Sequence, residues 1–517
     1  MSRRRHGEPF RRTGCVTCKS RHKRCDEQKP RCGNCMRLDL ECTPSELFRA
    51  SHPRRERSKK HRTPSFSDFL LDDSVDIWDV DVSAESFCDA FDLVGDSLIV
   101  ETVTPQLGRC QPSWAVTLAQ PQASLQERYL LDHYIHRASV VLINVDGPLN
   151  PLRQVLVPRA LISPTLMDAL YAIAAYHVFV CNDDPDMKAR SLAYYNSAAS
   201  RLSCLIRDTA VLSSGQDLEI LVLTTILLCK YEIISVGPNW RQHLRGVQTM
   251  LDVYRNDLSR KAPETLSYAK SFFSYHSCIA GITRTDESPC PSTFSDHDEP
   301  GHSARPHNDV DPYMGISGEL ISLLTSATET AMLDFSKDEN LFSTMCTVIR
   351  IHERITNDAT ILETPSLPRE HGDDTICHLR SIAVAYKNVL IAYLHIILEA
   401  VADGASSKAS LFEYSRIQNL IALTKDEAIS ACIQATLSIP DDNPCSVGLV
   451  PLLFFVATET TSSTEFDIAL KRLSAIFRTA RLGNVGTALD LLAKMQRIKA
   501  VHWRQILKCC EWDLVVT

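Results

Sequence analysis

GCVTCKSRHKRCDEQKPRCGNCMRLDLEC, residues 14–42, is the stretch whose reading decides what this chain is. Its cysteines, Cys15, Cys18, Cys25, Cys32, Cys35 and Cys42, fall at C-x2-C-x6-C-x6-C-x2-C-x6-C, one half-motif stated twice. A C-x2-C pair brings two sulfurs onto one turn, close enough to share a metal at Zn–S distances of roughly 2.3 Å. Six sulfurs cannot fill two separate tetrahedral sites, which need eight. Two Zn2+ ions reach four-coordination only if two thiolates bridge them. Internal symmetry makes the bridges the leading cysteines of each half, Cys15 and Cys32. Cys18 and Cys25 then complete one zinc, and Cys35 and Cys42 the other. So short a segment has too little apolar surface for a core, so metal binding is expected to supply its folding energy.

Two other readings of the cysteines fail. Three disulfides require an oxidising compartment, and MSRRRHGEPFRR is followed by no apolar targeting segment. An iron–sulfur cluster does not explain six cysteines in two equal halves. The Lys and Arg residues wrapped around the cysteines point instead to DNA. Residues 1–62 hold 19 Lys and Arg against 7 Asp and Glu, a net of +12, while the chain as a whole carries −8, so the remainder carries −20. A basic end on an acidic protein is the charge footprint of nucleic-acid binding, and its salt-sensitive phosphate attraction belongs to that end.

Gly14 to Cys42 closely resembles the binuclear zinc cluster DNA-binding domain of fungal transcription factors, which has this spacing, a basic helix after the first cysteine pair and a proline before the fourth cysteine. Here these are KSRHKR (Lys19 to Arg24) and Pro30. The resemblance implies two short helices around two Zn2+ ions, the first entering the major groove at a CGG-like half-site of double-stranded DNA. It assigns the base contacts to Arg21 and His22. A guanidinium suits guanine, whose O6 and N7 it meets with two parallel bonds. Lys19, Lys23 and Arg24 are expected on phosphates, which add affinity without sequence information.

Outward from the cluster, residues 1–13 read as a basic tail, 14–44 as the zinc domain and 45–122 as a disordered linker. PRRERSKKHR, residues 53–62, suits nuclear import or a phosphate clamp. No apolar heptad follows it, so monomer and homodimer both stay open. Residues 66–101 contain no Lys or Arg and alternate acids with Phe66, Phe69, Trp78, Phe87 and Phe91. That is the composition of an activation segment that offers aromatics to co-activators or the transcription machinery.

Residues 123–517 are helical in period, and the fold class is mostly α. Ser124 and Glu127 form a capping box. Ser163 and Pro164 read as an N-cap and first helical position. ILVLTTILLCKYEII, residues 220–234, is apolar nearly all round and reads as a central buried helix; Thr224, Thr225 and Lys230 argue against a membrane span. Single helices are expected across EYSRIQNLIALTKDEAISACIQATLS and ALDLLAKMQRIKAVHWRQIL, and a flexible loop across 284–313, whose Asp296, His297, Asp298, His302 and His307 are solvated loop residues rather than metal ligands. The remaining cysteines read as small buried apolar residues. In order, LLDHYIHRAS, SPTLMDALYAIAAYH, LLCKYEIISVGPNWRQHLRGVQTML, MGISGELISLL and VPLLFFVATET resemble the fungal-specific regulatory domain that accompanies such clusters. No phosphate-binding, nucleophile-elbow or zinc-protease motif is present, so the chain is not expected to be an enzyme. The expectation is a nuclear regulator of RNA polymerase II transcription, of a metabolic or secondary-metabolite gene cluster; the alternative is a repressor or scaffold tethered by its zinc domain.

Overall fold

The structure, a computed structural model, describes residues 31–38, 123–148, 150–207, 215–283, 310–311, 313–333, 335, 338–357, 373–404, 415–498 and 502–517. The chain divides into two units, Met1–Thr63 and Pro64–Thr517. In the first, the described element is α1 (Gly33–Arg37). In the second, the regular structure among the described residues is all helix, apart from one backbone bridge between Val310 and Ser317.

Helix α2 (Leu125–His133) starts where the sequence places it. Ser124 Oγ accepts the Glu127 N–H at 3.2 Å, and Glu127 Oε2 accepts the Ser124 N–H at 2.7 Å. Helix α3 (Pro164–Asn182) opens on Ser163, whose hydroxyl accepts the Leu166 N–H at 3.3 Å, with Pro164 in the first turn where its missing N–H costs nothing. Asp183 reverses the chain at φ 52°, and α4 (Pro185–Arg207) returns against α3. Helices α5 (Gly215–Ser235), α6 (Trp240–Lys261) and α7 (Pro263–Thr283) follow, each packed on the one before. Next come α8 (Gly318–Thr330), α9 (Asp338–Asn357) and the long α10 (Asp373–Gly404). The series closes with α11 (Lys425–Thr436), α12 (Val450–Glu459), α13 (Ser463–Ala480), α14 (Gly483–Arg497) and α15 (Trp503–Cys509).

The core runs through α3, α5, α10 and α12, where Leu, Ile, Val and Phe are buried with no polar face. Each such side chain removed from water is worth roughly 1.5–3 kcal/mol. Helix α3 and residues Asp374–Asp403 are long and apolar enough to cross a membrane, but 78% and 72% of those windows are buried inside the protein. They are core helices.

Two single expected helices are broken. EYSRIQNLIALTKDEAISACIQATLS turns at 419–423 and restarts at Thr424, which forms a second capping box with Glu427. ALDLLAKMQRIKAVHWRQIL ends one helix at Arg497 and starts another at Trp503, capped by His502. The expected loop 284–313 is described only from Val310, apart from residue 312, and this end is tied into the core. Asp311 accepts the N–H groups of Tyr313 and Met314 at 2.8 and 3.1 Å and the Ser271 hydroxyl at 2.6 Å. Gly315 closes the turn at φ +72°, where a Cβ would come within 2.8 Å of Asn144 Cβ. Tyr313 is thereby driven inside, 3% exposed.

Buried polar ties span long sequence distances. Arg472 on α13 donates to the carbonyls of Thr436 and Ile439, both at 2.6 Å, and to Asp441 Oδ1 at 2.8 Å, placing a cation on the last carbonyl of α11 and on the turn that follows it. Residues Asp513–Thr517 follow α15 as an extended stretch. Asp513 takes two bonds from Arg241, at 2.7 and 2.8 Å, and its carbonyl takes the Trp240 indole N–H at 3.0 Å. Asn484 Nδ2 donates to the carbonyls of Val515 and Thr517 at 2.9 and 3.0 Å.

Candidate zinc and DNA-binding site

Of the six sequence-marked cysteines, Cys32 and Cys35 are described. Cys15, Cys18, Cys25, Cys42 and the basic residues Lys19, Arg21, His22, Lys23 and Arg24 lie outside the described residues, as do the 53–62 run, the 66–101 segment and the histidines and acids of 284–309.

Cys32 is the N-cap of α1, with extended backbone (φ −67°, ψ 148°), and its Sγ accepts the Cys35 N–H at 3.4 Å. The next residue, Gly33, opens a helix of five residues, too short to stand by propensity alone. Both thiols are buried, Cys32 1% and Cys35 0% exposed, while Met36 and Leu38 stand 58% and 45% exposed. This inverts the usual order, in which the apolar side chains are inside. A segment that turns its sulfurs inward and its Met and Leu outward is organised around what the sulfurs bind. Two buried thiol donors one turn apart fit Zn2+.

The second unit offers no comparable donor set: among its described residues no three His, Cys, Asp or Glu are grouped to hold a metal. Its buried histidines are tied pairwise. Ala480 O can only accept, so the 3.0 Å contact puts a proton on His177 Nε2 and makes its Nδ1 an acceptor for His133 Nε2 at 2.7 Å. Burial, the neighbouring His177 and Arg137 lower the His133 pKa to about 3. His243, 3.0 Å from the Tyr195 hydroxyl, is lowered by burial to about 4. These imidazoles are neutral packing elements. Cys229, Cys278, Cys432 and Cys445 are buried as expected, whereas Cys204, Cys346, Cys377 and Cys509 are exposed. Burial raises the Cys432 and Cys445 thiols to about 12 and about 11, which makes them inert.

Comparison with known proteins fits this division. Residues 129–517 match the Fungal specific transcription factor domain. The chain belongs to that family. Residues 13–51 match the Fungal Zn(2)-Cys(6) binuclear cluster domain. An uncharacterized transcriptional regulatory protein of Schizosaccharomyces pombe is 24% identical over 211 residues, 37% of this chain and 39% of that protein. Sterol uptake control protein 2 of Candida albicans is 38% identical over 66 residues, 10% of this chain and 9% of its own. Zinc cluster transcription factor CZF1 of Candida albicans is 59% identical over 32 residues, 6% of this chain and 8% of its own. The chain thus spans well under half the length of these relatives. No solved structure matches it. The chain joins a zinc cluster domain to a large helical domain of a transcription factor family rather than of an enzyme family.

Proposed function

We propose that Cys15, Cys18, Cys25, Cys32, Cys35 and Cys42 hold two Zn2+ ions, with Cys15 and Cys32 bridging, and that the helix of Lys19, Arg21, His22, Lys23 and Arg24 reads CGG-like half-sites in the major groove. The observation that carries the reading is the repeated C-x2-C-x6-C spacing, with one of its cysteine pairs forming the buried residues among those described around a five-residue helix. Zinc does no chemistry on DNA here. It fixes the fold that presents the basic helix, while Arg21 and His22 contact bases and Lys19, Lys23 and Arg24 hold phosphates.

The acidic, aromatic stretch 66–101 supports activation of RNA polymerase II transcription in the nucleus through co-activator contacts. The helical unit regulates that output, and metabolic or secondary-metabolite genes are the targets we propose. The test is fluorescence anisotropy of the zinc-loaded full chain on duplexes with and without a CGG element. Arg21→Ala is expected to weaken binding to the CGG duplex by about 1–3 kcal/mol and leave the duplex without it nearly unchanged. Equal loss on both duplexes would make Arg21 a phosphate contact and sink the readout assignment.

A further inference from the structure

Helix α5 is apolar nearly throughout, yet it carries Lys230, 6% exposed, in the middle of the core. A buried ammonium keeps its charge where a carboxylate or several acceptors replace the water it has lost. Among the described residues Lys230 takes part in no ion pair; its contact is the face of the Tyr313 ring, with Nζ 5.8 Å from the centroid. Beside it lies a cavity of about 10 Å³, room for a single water, walled by Asn144, Tyr275, Tyr313, Thr517 and apolar side chains including Leu142.

The titratable groups packed around Lys230 on each element are neutral or turned elsewhere. On α5 itself, Cys229 donates its thiol to the Trp240 carbonyl at 3.4 Å, and burial keeps that thiol protonated. Glu232 accepts the Asn239 N–H at 3.1 Å and its side-chain amide at 3.4 Å. From α7, His276 is held neutral by burial and by the Lys230 charge, and burial raises the Tyr275 phenol to about 12. Tyr313, its phenol raised by burial, shares a 2.7 Å bond with His276 Nε2. Asn144 Nδ2 donates to the Met314 carbonyl at 2.7 Å, and the Thr517 carbonyl accepts from Asn484 Nδ2 at 3.0 Å. The walls outside the helices are fixed by the same bonds, since Asp311 pins the turn that carries Tyr313 and Asn484 pins Thr517. A neutral amine tolerates such surroundings; an ammonium with one water in place of its hydration shell does not.

We propose that Lys230 is a proton-operated switch in the core of the helical unit: the closed core accepts the neutral amine, and protonation destabilises closure. Burial lowers the Lys230 pKa to about 7, whereas an unfolded lysine titrates at about 10.4. Between those values the unfolded chain holds a proton that the fold has given up, so stability rises with pH. Below about 7 both states hold the proton, and the whole destabilisation by the buried charge is present. The helical unit is thus firmest in mild base and loosens as the medium falls to neutrality. The switch stands independently of the DNA-binding reading.

The test uses the zinc-loaded full chain between roughly pH 7 and 8 at constant ionic strength, inside the window these pKa values set. The main melting transition is read by differential scanning fluorimetry. The folding constant of the parent gains up to about tenfold per pH unit, a rise of about 2 °C in melting temperature. Lys230→Met keeps the length and apolar stem without the charge. It is expected to melt higher than the parent at neutrality and to lose that rise. Lys230→Arg, which stays protonated throughout, is expected to melt below the parent at the upper pH and to lose the rise as well. The difference between parent and variant at each pH cancels the histidines, which titrate at lower pH, and the buried thiols, whose effect on stability has the opposite sign. A Lys230→Met slope equal to that of the parent overturns the proposal, as does a Lys230→Met protein that melts lower than the parent at neutrality. Should Lys230→Met not fold, Lys230→Arg decides by the same comparison of slopes. Should neither fold, the parent decides: a melting temperature that is flat or falls across the window overturns the switch.

Discussion

The two units of this chain are built on opposite principles. Around Cys32 and Cys35 the sulfurs are buried and Met36 and Leu38 face water; in the helical unit Leu, Ile, Val and Phe are buried. One segment is basic and the other acidic, +12 over residues 1–62 against −20 over the rest. The difference teaches that stability here has two independent sources, metal coordination in one unit and apolar burial in the other. Conditions that remove one source should leave the other standing.

Chelation tests this most severely. Structural zinc contributes on the order of 10 kcal/mol to small metal-folded domains. A strong chelator, or Cys32→Ser in place of it, should abolish binding to a CGG duplex while the main melting transition of the full chain stays within a degree or two. A main transition that collapses with zinc would show that the helical unit also depends on the metal, and the comparison would fail.

The next largest effect belongs to the interior of the helical unit. Arg472 is 6% exposed and holds two carbonyls and Asp441. Arg472→Met leaves the carbonyls of Thr436 and Ile439 buried without a donor, and removing one partner from such a network costs roughly 3–5 kcal/mol. We expect a lower melting temperature with zinc content unchanged. Equal stability would mean that α11 closes without its cation.

How much of this was legible in the residues follows the range of each interaction. Local signals were readable: the cysteine spacing, the Ser124 capping box, the Ser163–Pro164 start and the apolar run of α5. Pro185 and Pro263 carry the same first-turn signal as Pro164, yet α4 and α7 were not anticipated, although α4 buries Ser191, Tyr195, Ala198, Leu202 and Ile206 at helical spacing. Thr424 and Glu427 spell a capping box that could have revealed the break before α11. The ties of Arg472, Asp513 and Asn484 left no local trace, since each partner lies at least 31 residues away in the chain. Lys230 was read only as an argument against a membrane span, because sequence alone does not show how deeply a single lysine on an apolar helix is buried.

Acidity should then separate the units by a gentler slope. His133 and His243 are neutral in the fold, with pKa values lowered to about 3 and about 4, and unfolded imidazoles titrate at about 6.5. Above that pH both states are neutral and nothing changes. Below it the unfolded chain takes up protons the fold refuses, so stability falls by up to about 1.4 kcal/mol per pH unit for each imidazole. The main transition of the full chain should fall as pH drops from 6.5 to 5, and His133→Gln should reduce the slope by one proton. A flat profile over that window would place these histidines in contact with solvent.

The smallest effect isolates the comparison at a single helix position. Cys32 and Ser163 are both N-caps, and each accepts the N–H three residues on, Cys32 Sγ from Cys35 at 3.4 Å and Ser163 Oγ from Leu166 at 3.3 Å. Ser163 caps a helix already held by burial, so Ser163→Ala forfeits one hydrogen bond and should cost about 1 kcal/mol, a shift of no more than a few degrees. Cys32→Ser keeps an acceptor oxygen at the cap and removes only the sulfur. If caps alone mattered, Cys32→Ser would be the milder change of the two. Loss of DNA binding in Cys32→Ser beside a near-parental Ser163→Ala would show that the same geometry stabilises a helix in one unit and presents a metal ligand in the other.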